Sequence, residues 1–133
     1  MEKKKGKLFV VSGPSGVGKT TVVSAAIKRL NDDHNVARII TYTSRSPRNG
    51  EVSGKDYQFI SAEDFKEKIK QDFFLESTEY AGHLYGSPKP SENEMALGKS
   101  FVAVLDIEGA KRVSNALHKD VVLVWIAPPD MTV

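Results

Sequence analysis

Two periodicities alternate along this chain. Leu8–Ser12, residues 101–106 and residues 121–127 are short, continuous apolar runs rich in β-branched side chains, the pattern of strands buried on both faces. Residues 36–41 add a fourth strand of mixed character. Between them the spacing becomes helical. Residues 21–30 carry apolar side chains at Val22, Val23, Ala26, Ile27 and Leu30, and residues 110–117 and 92–97 predict two shorter helices, the latter ended near Gly98. Strands alternating with helices predict an α/β fold around a mainly parallel sheet. Residues 43–56 break the pattern with polar side chains and the turn pairs Asn49-Gly50 and Ser53-Gly54. Residues 57–60 read as a short alternating strand, and Ser61-Ala-Glu-Asp64 as a capping box opening a helix through about residue 69. Residues 73–85 predict a small sheet with loops. The whole chain, 1–133, reads as one domain. Its core is 7–42 and 91–133, and an inserted lobe of about 43–90 is too turn-rich for the main sheet and folds over its C-terminal strand edges.

One loop changes this outline into chemistry. Gly13, Pro14, Ser15, Gly16, Val17, Gly18, Lys19 and Thr20 satisfy G-x-x-x-x-G-K-[ST], between a predicted strand and a predicted helix. Gly13, Gly16 and Gly18 let the main chain turn and approach a phosphate closely. Successive N–H groups then point inward at a helix N-terminus, which favours anions. Lys19 reaches the β- and γ-phosphates in such a loop, and the Thr20 hydroxyl serves Mg²⁺.

Bulk properties exclude more than they assign. With 133 residues and 40% hydrophobic composition the chain can bury a core. A net charge of +2 gives no argument for a nucleic-acid-coating surface, and Lys3, Lys4, Lys5 and Lys7 read as a solvated tail. No apolar run approaches the ~20 residues of a membrane span, and none resembles a signal-peptide core. There are no cysteines, so no disulfide framework and no thiolate metal site; a cytoplasmic location is expected. His34, His83 and His118 have no ligand spacing and read as surface or loop residues.

The lobe supplies an acceptor chemistry. Arg45 and Arg48 sit among tight turns with Tyr57, and paired guanidiniums match a phosphate dianion. Glu51 reads as a brace for Arg48. A carboxylate such as Glu76 accepts from two N–H groups on one planar edge, which guanine offers and adenine does not. Tyr57 and Tyr85 have packing as their alternative role, and Asp106 has turn formation at a strand end.

The block Arg45-x-Pro-Arg-x-Gly-Glu-x-x-Gly-Lys-Asp-Tyr57-x-Phe resembles the guanylate kinase signature. The same family resemblance extends to Ser12-Gly-Pro-Ser-Gly-x-Gly-Lys19, Phe74-Leu-Glu76, Leu84-Tyr-Gly-Ser87, Leu105-Asp-Ile-Glu108 followed by Gly-Ala, and Ile126-Ala-Pro-Pro129, covering the chain from Lys7 onward. The resemblance implies a P-loop nucleoside monophosphate kinase-like fold and the reaction ATP + GMP giving ADP + GDP. It implies that Arg45, Arg48, Tyr57 and Tyr85 hold the GMP phosphate, and that Thr41, Glu76 and Ser87 meet the base. Glu108 belongs to the same site by position. Lys19, Arg45 and Asp106 take the catalytic roles, with Thr20 and Asp106 toward Mg²⁺, the latter through water.

Two departures carry expectations. Glu108 is followed directly by Gly109, which shortens the turn into the next helix relative to the family and displaces Glu108. The family's lid lies beyond the Pro-Pro pair, and no arginine follows Arg112. The 133-residue chain alone is therefore expected to turn over more slowly, since loss of such an arginine costs about 10³–10⁵ in rate. The uncovered sheet near residues 121–127 offers a surface for self-association. The alternative reading is a non-catalytic guanylate-kinase-like module that binds phosphorylated peptides with the same arginines. An intact Lys19 and Thr20 favour the enzyme.

Overall fold

The computed structural model describes residues 5–14, 18–30, 35–116 and 121–127. Readings that fall on Ser15, Gly16, Val17, His34, His118 and the Pro128-Pro129 stop lie outside the described residues. The chain divides into two compact units, Met1–Arg38 with Pro90–Val133, and Ile39–Lys89.

In the first unit, β1 (Leu8–Ser12) pairs in parallel with both β7 (Ser100–Val104) and β8 (Val121–Trp125). With β2 (Val36–Arg38) outside β7, the order is β2-β7-β1-β8, all parallel. Each face of β1 meets a helix, which is why its run is apolar without alternation. Val11 packs with Val102 and with Val23 of α1 (Lys19–Leu30), while Val10 and Ser12 line the face that carries Ile107 and Ala110 of α4 (Ile107–Ala116). A short α3 (Glu92–Ala96), capped by Ser91, leads into β7.

Coverage of both faces, expected from the continuous apolar runs, fails at β8, in line with the uncovered sheet expected near residues 121–127. Leu123 is 55% exposed and Trp125 53%, and among the described residues no strand pairs with the outer edge of β8. A hollow of about 470 Å³ opens beside it toward α4, and another of about 490 Å³ toward α1. Among the described residues, no helix is long and apolar enough to cross a membrane.

The second unit is a mixed sheet of order β4-β3-β6-β5. Its strands are β3 (Tyr42–Thr43), β4 (Gln58–Phe59), β5 (Phe74–Tyr80) and β6 (His83–Pro88). Residues 36–41 are thus not one strand. The β2 pairing ends at Arg38, and Tyr42 and Thr43 pair instead with Gly86 and Tyr85. The seam accordingly falls at Ile39 and Lys89. The stretch 73–85 holds a longer hairpin than its polar sequence predicts. Its tip turns through Ala81 and Gly82, both at positive φ (+52° and +80°).

Helix α2 (Ala62–Lys70) begins where Ser61 Oγ accepts the Asp64 amide at 3.0 Å. It presents Phe65, which is fully buried and stacks on Phe74 at 4.5 Å between ring centroids. Gly86 makes room for this pair, since a Cβ there would lie 2.9 Å from Phe74 and 3.0 Å from Phe65. Tyr42 and Phe73 close the cluster edge-on. Phe65→Ala is expected to cost about 3–5 kcal/mol of stability, read by urea denaturation, because a fully buried ring stacked on Phe74 is removed from the core.

Candidate functional site

The glycine loop leaves the C-terminal end of β1, and Gly13 is buried there. Gly18 adopts φ +86°, a conformation that favours glycine. Val22 N–H donates to Gly18 O at 3.0 Å, closing the first turn of α1, on which Thr20 is exposed. The helix starts at Lys19, two residues earlier than its apolar spacing predicts, because its first turn is not buried and so carries no apolar signal. Lys19 Nζ donates to Gly13 O at 2.7 Å and to Pro14 O at 3.5 Å. Its ammonium therefore lies against the loop's own carbonyls.

Asp106 follows β7. Leu105 N–H donates to Val11 O, so Asp106 leaves the sheet beside the start of the glycine loop. Its Oδ1 accepts the Gly109 amide at 2.7 Å, which makes it the cap of α4. The turn-forming role is thus filled, and it moves the helix start from 110 to Ile107. The short Glu108–Gly109 connection is then not a turn at all but the first turn of α4. Glu108 is exposed there and pairs weakly with Lys111 at 3.9 Å, three residues on.

The unit of residues 39–89 assembles the arginine site. Tyr85 and Ser87 share one face of β6, and Gly86 faces the Phe65–Phe74 core on the other. Thr43 and Thr78 lie opposite Tyr85, and Glu76 lies opposite Ser87, so all five belong to the face away from that core. A register shift between Phe74 and Glu76 is what puts Glu76 there. With regular alternation, residues 74 and 76 would share a face; the bulge sends Phe74 into the core and Glu76 to the opposite side. Ser87 is buried and Glu76 half-buried. Thr41 is half-buried just before β3, and its carbonyl accepts Gln58 N–H.

Arg45 follows β3 and is held from several directions. Thr43, fully buried, donates through Oγ1 to Leu84 O at 2.9 Å and accepts the Arg45 amide at 3.2 Å. Ser44 Oγ accepts Leu84 N–H at 2.9 Å. The Arg45 side chain is 8% exposed. Its Nη1 donates to Glu51 Oε1 at 2.8 Å and to Ser46 O at 3.0 Å, and its Nη2 donates to Glu51 Oε2 at 3.0 Å. The guanidinium lies 5.2 Å from the Tyr57 ring centroid and 5.8 Å from that of Phe59. Tyr85 stands on the same side, its ring meeting that of Tyr57 edge-on. The Glu51 carboxylate raises the Arg45 pKa above its ordinary value. In turn the Arg45 bonds, then the Arg48 amide, hold Glu51 down at about 2.

Glu51 therefore does not brace the Arg48 side chain. It accepts the Arg48 main-chain amide at 2.7 Å, while its side-chain partner is Arg45. Arg48 itself is exposed on the turn that Glu51 N–H closes onto Arg48 O. Two contributors escaped the sequence reading. Phe59 is a second ring beneath the guanidinium, signalled by its two-residue offset from Tyr57. Thr43 and Ser44 fix the turn into Arg45, signalled by adjacent hydroxyls just before it.

A sequence model of the family described as guanylate kinase matches residues 5–133. The guanylate kinase of Lactobacillus delbrueckii subsp. bulgaricus is 42% identical over 131 residues, covering 96% of this chain and 61% of the relative. A guanylate kinase of Thermus thermophilus is 38% identical over 133 residues, covering 99% of this chain and 57% of the relative. The crystal structure of guanylate kinase from Anaplasma phagocytophilum superposes with a TM-score of 0.79 at 31% identity, covering 98% of this chain and 64% of that one. The chain thus spans about three-fifths of the length of the relatives it matches. A P-loop arising from a parallel sheet, an arginine clamped beside two tyrosines, and a family match over almost all of the sequence lead to one assignment: this chain belongs to the guanylate kinase family.

Proposed function

We propose that this chain binds GMP on the 39–89 unit and the phosphates of ATP at the glycine loop, and transfers the γ-phosphoryl group between them. The observation that carries the reading is the Arg45 guanidinium, fixed by Glu51 and Ser46 beside Tyr57 and Tyr85. That arrangement suits a phosphate monoester. The Glu76–Ser87 pair on the same sheet provides an acceptor-rich neighbourhood for a base edge that donates.

A phosphate oxygen of GMP attacks the γ-phosphorus as the bond to the ADP oxygen breaks, and no covalent enzyme intermediate is needed. Arg45, Tyr57 and Tyr85 orient the acceptor phosphate, with Arg48 adding charge from the exposed turn. Lys19 exchanges its Gly13 and Pro14 carbonyls for phosphate oxygens. Among the described residues no three His, Cys, Asp or Glu side chains group as a metal cage. Mg²⁺ is held by phosphates, waters and one or two protein oxygens. Thr20 and Asp106 would hold it, Asp106 through water because one of its oxygens already caps α4. When bound, Mg²⁺ neutralises charge on the β- and γ-phosphates. Thr41 completes the proposed GMP contacts on this unit.

Calorimetric titration with GMP, AMP and then MgATP tests the reading. GMP binding in clear preference to AMP is the expected result. Absence of GMP binding, with a phosphoserine peptide bound instead, would replace it by the interaction-module reading.

A further inference from the structure

Counting donors on Arg45 exposes a role for its neighbour. A guanidinium has five N–H donors in a rigid fork. Nη1 spends both of its donors, on Glu51 Oε1 and Ser46 O, and Nη2 spends one on Glu51 Oε2. Glu51 therefore covers the end of the fork. What remains is the side edge, where Nε–H and the second Nη2–H run parallel. Glu51 Oε1 also accepts the Arg48 amide, tying the loop to the same carboxylate. Tyr57 and Phe59 lie against the guanidinium and restrict its tilt.

On the reading that this unit takes a nucleoside monophosphate, we propose that Glu51 is a positioning residue that selects which edge of Arg45 meets the phosphate and holds that edge still. Its charge opposes the anion it helps to bind. Removing that charge makes the site more positive, so long-range attraction alone predicts tighter phosphate binding. Positioning predicts the opposite sign, because an unclamped guanidinium must be ordered by the ligand at a cost in entropy. The effect is confined to the phosphate: a nucleoside lacking it never meets that edge.

The test titrates the full 133-residue chain and its Glu51→Gln and Glu51→Asp variants with GMP, guanosine and inorganic phosphate, with folding checked by circular dichroism. Glu51→Gln is expected to weaken GMP and phosphate by about tenfold or more, with guanosine unchanged. Glu51→Asp keeps the charge and is expected to recover most of the loss; Glu51→Ala, which also removes the charge, carries the same comparison if the glutamine variant does not fold. Equal or tighter phosphate binding by a folded variant that lacks the charge overturns the proposal, and so does a matching loss for GMP and guanosine. A wild-type chain that binds phosphate but not GMP would defeat the nucleotide reading while the phosphate titration still decides the role of Glu51.

Discussion

Arg45→Lys is expected to lower GMP affinity by about a hundredfold while the chain stays folded. Lysine keeps the positive charge, so the loss isolates geometry. An ammonium is a compact donor on a flexible stem and cannot span both oxygens of Glu51, reach Ser46 O and present a two-pronged edge at once. It also forfeits planar contact with Tyr57 and Phe59, which lie 5.2 and 5.8 Å from the guanidinium carbon. Arg45→Ala goes further and leaves Glu51 with only the Arg48 amide among the partners described above. That variant therefore mixes a binding loss with a folding loss, and lysine is the cleaner probe. Isothermal titration reads the affinity and circular dichroism the fold. GMP affinity within about threefold of wild type would place the acceptor phosphate away from Arg45 altogether.

Why some of this site was legible and some was not follows from the range of the forces involved. The β1 run, the Ser61 cap and the glycine loop are local: each is specified within a few residues by apolar content, a hydroxyl beside an amide, or freedom at positive φ. The pairing of Glu51 with Arg45 spans six residues but needs the closed turn at Arg48, so the sequence suggested the brace on Arg48, made through its amide, and missed the clamp on Arg45. The early end of β2 is not local at all. Tyr42 and Thr43 have a suitable partner in β6, far along the chain at Tyr85 and Gly86, and that pairing outcompetes continuation of the strand. Asp106 shows a third case, in which one carboxylate serves two purposes. Its capping bond to Gly109 is a folding requirement that also sets the start of α4, and only its place beside the glycine loop joins it to the proposed chemistry. The bulge at residues 74–76 left no sequence mark, because Phe-Leu-Glu reads equally well with or without it. Its consequence is large, since it decides which face Glu76 occupies.

That placement sets the second prediction: Glu76→Gln is expected to erase the preference for GMP over AMP, changing the affinity ratio by about a hundredfold or more. A carboxylate accepts two N–H bonds and donates none, which matches the ring N–H and amine of guanine. Against adenine, whose pairing edge offers one donor and one acceptor, a carboxylate leaves an acceptor facing an acceptor. Glutamine reverses the account. Its amide nitrogen now points a donor at a donor of guanine, while its oxygen and nitrogen together match adenine. The substitution keeps the length of the side chain and its place opposite Ser87, so register and bulge are retained. Phosphate recognition resides with Arg45, and the sum of the two nucleotide affinities should therefore change less than their ratio. Competition between GMP and AMP in one titration measures that ratio directly. A variant that loses both affinities in proportion, with their ratio intact, would mean that Glu76 supports the sheet and that the base is read by other side chains.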